Sequence, residues 1–120
     1  MNIVALITGR GNNTLKDKNI ISVLGKPLMH YPCTAAKASR YISHFYASSD
    51  DDKILACAKE EGFKPIRRPP ELALPTSQHV DAIKHAVKYM RDNDGLNPDI
   101  IVVLLANNAT VKTNWIDESI

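Results

Sequence analysis

The sequence predicts an α/β fold with a mostly parallel sheet. Four apolar segments with a β-branched or aromatic bias alternate with segments of helical periodicity. This alternation favours parallel strands joined by right-handed crossovers, with helices packed on the faces of the sheet. The length of 120 residues suits one domain. In such a fold, ligands bind at the carboxyl ends of the strands.

The first element is a strand over residues 2–8, because its apolar, β-branched run suits burial on both faces of a sheet. Residues 9–27 contain turn residues around a short apolar piece but no long periodic segment. The last of these turns, Gly25-Lys26-Pro27, is typical of a turn that opens a helix, since proline is tolerated in a first helical turn. The sequence therefore predicts a helix over residues 28–40.

The second strand is predicted over residues 42–48, and Ser49 is the predicted N-cap of the helix that follows. Residues 50–52 are three aspartates, which the helix dipole favours in a first turn. Three adjacent carboxylates are also a candidate metal site, but adjacent residues of a helix do not share a face. We therefore favour the acidic helix start, with Gly62 ending the helix.

A short third strand over 63–67 precedes a proline-containing loop, after which Ser77 is the predicted cap of a third helix ending near 93–95. The strongest strand signal covers residues 99–105, and a further helix start is predicted at 113–114. The expected buried stripe of the third helix is Val80, Ile83, Val87 and Met90.

Charge and cysteine content narrow the classes of function. The net charge of +2 is too small to argue for nucleic-acid or membrane binding. Cys33 and Cys57 lack a metal or redox spacing, so we interpret them as reduced structural thiols of a cytoplasmic protein. The four histidines show no metal-ligand spacing, and no signal peptide or anchor is recognisable. The last predicted helix has barely begun at residue 120, which is unusual for a complete fold of this class.

The loop after the first strand carries the first functional signal. It combines two glycines and small polar residues with three cations, Arg10, Lys16 and Lys18. Backbone N–H groups and fixed positive charge at the end of a strand suit a nucleotide phosphate. The spacing lacks a Walker A pattern, and Thr14 occupies the third glycine position of a dinucleotide fingerprint. A phosphate site and a solvated turn both stay open on these residues alone.

A second candidate is the pair Arg67-Arg68, which ends the third predicted strand and precedes two prolines. Guanidinium groups suit bidentate contacts with phosphate. The pair lies at the same edge of the predicted sheet as Arg10, so it is a candidate for the same pocket. The alternative is a basic pair on the surface.

Seven short motifs follow one another along the chain. They are the N-terminal strand, Gly9-Arg10, Lys18-Asn19, Gly25-Lys26-Pro27-Leu28, Ser48-Ser49-Asp50, Arg68-Pro69-x-Glu71-Leu72-Ala73 and the strand ending Leu104-Leu105. In order and spacing the chain resembles the acylneuraminate cytidylyltransferases, the CMP-sialic acid synthetases and their relatives. The resemblance implies a Rossmann-like three-layer nucleotidyltransferase fold, of which residues 1–120 would be the N-terminal, nucleotide-binding part.

The resemblance also implies a reaction and a set of site residues. The family joins CTP to a nonulosonic or octulosonic acid and releases pyrophosphate, with Mg²⁺ on the triphosphate. Arg10 and Lys18 match the catalytic cations, which would neutralise charge as pyrophosphate leaves. Asn107 and Asn108 stand where the family binds the sugar. The other matched positions on the nucleotide side are Thr8, Gly9, Asn19, Arg68, Ser77 and His79.

Three departures from the family pattern keep alternatives open. The first loop is one residue shorter than usual, so one family lysine is displaced or missing. The loop after Leu105 lacks the usual glutamine and both prolines. The chain is about half the family length, and the missing half carries the metal ligands and the dimerisation element. The alternatives are a non-catalytic nucleotide-binding module and a nucleotidyltransferase for another sugar or base, and a homodimer is expected only of a longer protein.

Overall fold

A computed structural model describes residues 2–9, 22–23, 26–27, 29–69 and 79–105 together with Asp117. The strands of the main sheet alternate with helices along these residues, as the sequence predicts, and a separate pair of two-residue strands precedes the first helix. The elements are β1 (Ile3–Thr8), β2 (Ser22–Val23), β3 (Lys26–Pro27), α1 (His30–Lys37), β4 (His44–Ser49), α2 (Asp52–Glu60), β5 (Lys64–Arg67), α3 (His79–Asp94) and β6 (Ile100–Leu105).

The central sheet has the order β5-β4-β1-β6, and all of its strand pairs are parallel. Thr8, the last residue of β1, lies opposite Ser48 of β4 and Leu105 of β6. Ser49 lies opposite Arg67 of β5. The carboxyl ends of all four strands therefore lie at one edge of the sheet, and the predicted parallel α/β fold is confirmed.

Helices cover both faces of this sheet. On one face, Ile3, Ala5 and Ile7 of β1 pack with buried residues of α1 and α2. On the other face, Val4 and Leu6 pack with α3. Alternate residues of a strand point to opposite faces, so β1 is buried along its whole length between two apolar layers. Burial on both faces explains why β1 is continuously apolar instead of alternating.

The first helix begins later than the sequence predicts. Lys26–Pro27 forms β3, which pairs antiparallel with β2, and α1 starts at His30 rather than at residue 28. A proline that lacks an N–H is tolerated at the end of so short a ladder. Lys26 and Pro27 therefore lie in a short strand and not in a turn that opens the helix, and Met29 stands at the N-cap position of α1 without a side-chain cap.

The predicted N-cap of α2 is wrong by two residues. Ser49 is the last residue of β4, and Asp51 is the cap. Asp51 Oδ1 accepts hydrogen bonds from the backbone N–H groups of Lys53 at 2.7 Å and Ile54 at 3.4 Å. The Ser49 Oγ accepts from the Asp51 N–H at 3.1 Å and so supports the turn before the helix. A carboxylate at the cap also gains from the helix dipole, which the serine would not.

Gly62 ends α2 as predicted. Its φ is +85°, in the left-handed region that favours glycine. The Gly62 N–H donates to the Lys59 carbonyl at 3.1 Å, and the Phe63 N–H donates to the Ala58 carbonyl at 2.9 Å. These two bonds form a Schellman motif. The motif turns the chain directly into β5, the strand that leads to Arg68.

The buried stripe of α3 differs from the predicted one. Ala82, Ala86 and Met90 are buried, the last two packed with Val4 and Leu6 of β1, whereas Val80 is 50% exposed. Ala86 lets the helix pack closely, because a small side chain reduces the distance between the helix backbone and the sheet. Of the predicted stripe, Ile83 and Val87 are half-buried and only Met90 is fully buried. Gly95, with φ of +64°, follows the last residue of the helix.

Candidate functional site

The carboxyl ends of β1, β4 and β5 bring a group of polar residues together. Thr8 and Ser48 lie side by side at the ends of β1 and β4, and both are buried. The Gly9 N–H donates to the Ser48 carbonyl at 3.2 Å, which holds the start of the first loop against β4. Arg68 follows β5 at the same edge. We call Thr8, Gly9, Ser48 and Arg68 the strand-end cluster.

Arg68 is the one cation of the strand-end cluster, and only 3% of its surface is exposed. Three hydrogen bonds to the end of β4 hold it. Its backbone N–H donates to the Ser49 carbonyl at 2.8 Å, its Nε to Ser48 Oγ at 3.3 Å and its Nη2 to the Ser48 carbonyl at 3.0 Å. Burial of a guanidinium is costly unless it is hydrogen-bonded. The surface interpretation is therefore wrong for Arg68, whose guanidinium is held at the carboxyl end of the sheet.

Arg67 lies on the other side of the strand and has a different role. It is exposed, donates from Nη1 to the Asp50 carbonyl at 2.7 Å and forms an ion pair with Asp52. Adjacent residues of a strand point to opposite faces, so the two arginines separate. The surface interpretation therefore holds for Arg67, and only Arg68 joins the strand-end cluster.

The three aspartates after β4 form the start of α2. Asp51 uses its carboxylate to cap the helix, and Asp52 pairs with Arg67. The cap interpretation of this acidic run is thus confirmed, with Asp51 as the capping residue. Within residues 2–9, 22–23, 26–27, 29–69 and 79–105, no group of three or more histidine, cysteine, aspartate or glutamate side chains is arranged to hold a metal ion.

The two cysteines are structural, as predicted. Cys33 and Cys57 are free thiols buried between α1, α2 and the sheet. Burial raises the pKa of the Cys33 thiol to about 12, with a smaller contribution from the Glu61 carboxylate, and burial also raises the pKa of Cys57. Because the reactive form of cysteine is the thiolate, neither thiol is activated at neutral pH.

The structure places only part of the predicted nucleotide site. Thr8, Gly9 and Arg68 come together in the strand-end cluster. His79 is the first residue of α3. The remaining predicted site residues lie outside the described part of the chain: Arg10, Lys18, Asn19, Ser77, Asn107 and Asn108. The cap at Ser77 and the helix start at 113–114 lie outside it as well.

Sequence reasoning missed the role of Ser48. Its hydroxyl and carbonyl both contact the guanidinium of Arg68. The available signal was its position as a hydroxyl residue at the end of an apolar strand that neighbours β1. A hydroxyl buried at that point needs a hydrogen-bond partner, and a cation from the next strand is a suitable one.

The sequence matches a known family and several curated relatives. The family model described as cytidylyltransferase matches residues 4–120. The N-acylneuraminate cytidylyltransferase of Escherichia coli O18:K1:H7 is 32% identical over 91 residues, which are 75% of this chain and 22% of that protein. An 8-amino-3,8-dideoxy-manno-octulosonate cytidylyltransferase of Shewanella baltica is 29% identical over 106 residues, 88% of this chain and 40% of that protein.

Solved structures share the fold. CMP:2-keto-3-deoxy-manno-octonic acid synthetase in complex with CTP superposes with a TM-score of 0.79 and 17% identity, over 98% of this chain and 45% of that one. A cytidylyltransferase from Leptospira borgpetersenii gives a TM-score of 0.74 and 20% identity, over 98% and 47%. The chain thus spans less than half the length of these relatives and structures. None of the helices that the structure describes is long and apolar enough to cross a membrane.

Proposed function

Because the chain belongs to the cytidylyltransferase family, we propose that it forms the nucleotide-binding part of an enzyme that transfers CMP from CTP to a sialic-acid-like 2-keto-3-deoxy sugar acid. One observation carries the proposal: a buried arginine, Arg68, is fixed by hydrogen bonds at the carboxyl edge of the parallel sheet. This edge is where open α/β sheets bind their ligands.

The proposed reaction is an in-line displacement at the α-phosphorus of CTP. The anomeric hydroxyl of the sugar acid attacks, its oxygen forms the new bond to phosphorus, and its proton is lost. The bond from the α-phosphorus to the bridging oxygen breaks, and pyrophosphate leaves with the electron pair. Negative charge grows on the leaving group, so fixed cations stabilise the transition state more than the ground state.

In this proposal Arg68 holds the nucleotide and the cations of the first loop act on the leaving group. A guanidinium fixed at a buried edge is not screened as an exposed charge would be, which strengthens its attraction to a phosphate. Arg10 and Lys18 match the catalytic cations of the resembled family. The Gly9 N–H is bonded to the Ser48 carbonyl, so it is not available to a phosphate.

The Mg²⁺ that the resemblance implies does not fit the acidic run at the start of α2. Asp51 caps α2 and Asp52 pairs with Arg67, so this acidic run does not offer a free set of oxygen ligands. We assign no step to the metal and propose that its ligands lie elsewhere in the complete enzyme. We also propose a cytoplasmic enzyme, because both cysteines are free, and a homodimer for the longer protein.

The acceptor is proposed only as a class. The curated relatives are named for two different acids, an N-acylneuraminate and an 8-amino-octulosonate. Both names describe a cytidylyltransferase that uses a sugar acid. The proposal therefore extends to nonulosonic and octulosonic acids and does not choose between them.

Nucleotide selectivity tests the proposal directly. Thermal unfolding is measured with CTP, UTP or GTP, since a ligand that binds the native state raises Tm. We expect CTP to raise Tm most, by an amount that corresponds to about 2.7 kcal/mol at a hundredfold excess over Kd. Arg10→Ala and Arg68→Lys should each reduce the shift. No shift with CTP contradicts the proposal, and an equal or larger shift with UTP or GTP points to another base.

A non-catalytic nucleotide-binding module is the second candidate, because the chain spans less than half of the solved structures. A measurement of pyrophosphate release distinguishes the transferase from the non-catalytic module. The chain is mixed with CTP, Mg²⁺ and either N-acetylneuraminate or an octulosonic acid, and pyrophosphate is measured. Release that requires the acid supports the transferase, whereas CTP binding without release supports the module.

A further inference from the structure

Ser48 forms hydrogen bonds both with Gly9, at the start of the first loop, and with Arg68. Its carbonyl oxygen accepts hydrogen bonds from the Gly9 N–H at 3.2 Å and from Arg68 Nη2 at 3.0 Å. Its Oγ accepts from Arg68 Nε at 3.3 Å. Ser48 is 1% exposed, so bulk water does not compete for these contacts.

We infer that Ser48 is a positioning residue that fixes the Arg68 guanidinium for the nucleotide and sets it relative to the first loop. The inference rests on the proposed function, since it assumes that Arg68 contacts CTP. An arginine side chain has many rotamers, and binding a ligand through it costs entropy unless the side chain is already ordered. Two acceptors on the same residue, one for Nε and one for Nη2, define the plane of the guanidinium.

The Ser48 hydroxyl is the part of this contact that a side-chain substitution removes. Replacement by alanine deletes the acceptor of Arg68 Nε and leaves both carbonyl contacts in place. The guanidinium then keeps the contact of Nη2 with the Ser48 carbonyl but loses the Nε contact, which helps to fix its rotation about that bond. We therefore expect Ser48→Ala to weaken CTP binding without unfolding the sheet.

Ser49 provides a matched control on the same strand. It is also fully buried, at 0% exposure, but its Oγ accepts from the Asp51 N–H and supports the start of α2. Its contact with Arg68 is made by the backbone carbonyl, which a side-chain substitution retains. Ser49→Ala therefore makes the same chemical change one residue away and leaves the side chain of Arg68 untouched.

The test is CTP affinity by titration calorimetry for the protein and its variants, with unfolding midpoints measured in parallel. Ser48→Ala should bind CTP about five- to tenfold more weakly, the effect of losing one intramolecular hydrogen bond of ordinary strength. Ser48→Thr keeps the hydroxyl and should restore most of the affinity. Ser49→Ala should bind CTP as the unaltered protein does, whatever its effect on stability.

A double-mutant cycle separates positioning from a general loss of stability. If Ser48 acts through Arg68, Ser48→Ala should have no further effect on CTP affinity once Arg68→Ala is present. An equal loss in both backgrounds overturns the inference, as does unchanged CTP affinity of Ser48→Ala when the unaltered protein binds CTP. If the unaltered protein does not bind CTP, the proposed function fails and the inference fails with it.

Discussion

Replacing Gly62 with alanine should destabilise the protein by about 1 kcal/mol. The residue has φ of +85°, and an L-residue in the left-handed region costs roughly 1–2 kcal/mol. Alanine also restricts the unfolded chain, which offsets about 0.4–1 kcal/mol of that cost. A Cβ at this position lies 3.4 Å from Lys37 Nζ, the end of a flexible and exposed side chain that can move away. The backbone conformation therefore dominates the loss.

Urea unfolding measures this change. With a slope of about 2 kcal/mol per M, typical of small proteins, the midpoint should fall by roughly 0.5 M. Gly62→Asn is the matched control, because asparagine tolerates the left-handed region better than alanine, and it should lose less. An alanine variant as stable as the unaltered protein, or less stable by no more than the asparagine variant, refutes the reasoning about the end of α2.

Two further substitutions, the first with a control, test the packing of Phe63 and the hydrogen bonds of Asp94. Phe63 is 2% exposed and packs edge-to-face against Phe45 of β4, with ring centroids 5.3 Å apart, so Phe63→Ala should cost about 3–5 kcal/mol in urea unfolding. Tyr41→Ala is the control, because Tyr41 is 50% exposed, and it should change the free energy of unfolding by no more than about 0.5 kcal/mol. If the two variants lose the same stability, the burial of Phe63 is contradicted. Tyr46→Phe removes the hydroxyl that donates to Asp94 Oδ2 at 2.6 Å and should destabilise the protein at neutral pH. The hydrogen bond from Lys64, and then that from Tyr46, lower the pKa of Asp94. A lowered carboxyl pKa stabilises the fold above the unfolded pKa, and this stabilisation is lost as pH falls through the folded pKa. The difference in the free energy of unfolding between Tyr46→Phe and the unaltered protein should therefore shrink in acid. A difference that does not depend on pH contradicts this role of the Asp94 carboxylate.

The sheet could be predicted from sequence because its signals are local. Residues 2–8 and 99–105 are apolar runs of strand length, and the polar turns on either side bound them. Their parallel pairing followed from the helices between them. The structure gives β1 and β6 at Ile3–Thr8 and Ile100–Leu105, paired in parallel.

Details that depend on packing could not be predicted. Ser49 and Asp51 are both good N-cap residues, and the choice between them depends on how far β4 extends. Val80 fits the helical period but is 50% exposed, whereas Ala82 and Ala86 are buried and Ala86 packs with the sheet. A periodic stripe does not say which residues meet a neighbouring layer closely enough to require a small side chain.

The position of the candidate site could be predicted from the sequence, but the residues that form it only in part. The edge of the sheet followed from the fold class, and Arg68 followed from its place after a strand. Arg67 contacts Asp52, whereas Arg68 contacts Ser48. This separation depends on the residue at which β5 ends, which the sequence does not fix. Ser48 was missed because its position at the end of a strand suggests a buried hydroxyl but does not say which partner the hydroxyl meets.

Mapping CTP onto the backbone amides by NMR tests most directly whether this chain carries a CTP site at the carboxyl edge. The amides of Gly9, Ser48 and Arg68 should shift on addition of CTP and saturate together. Asn2 and Asp99 lie at the opposite edge, where the Asn2 N–H donates to Asp99 Oδ2 at 2.6 Å, and their amides should not move. Saturable shifts confined to Asn2 and Asp99, or no shifts at CTP concentrations in the millimolar range, would contradict a nucleotide site at the strand-end cluster.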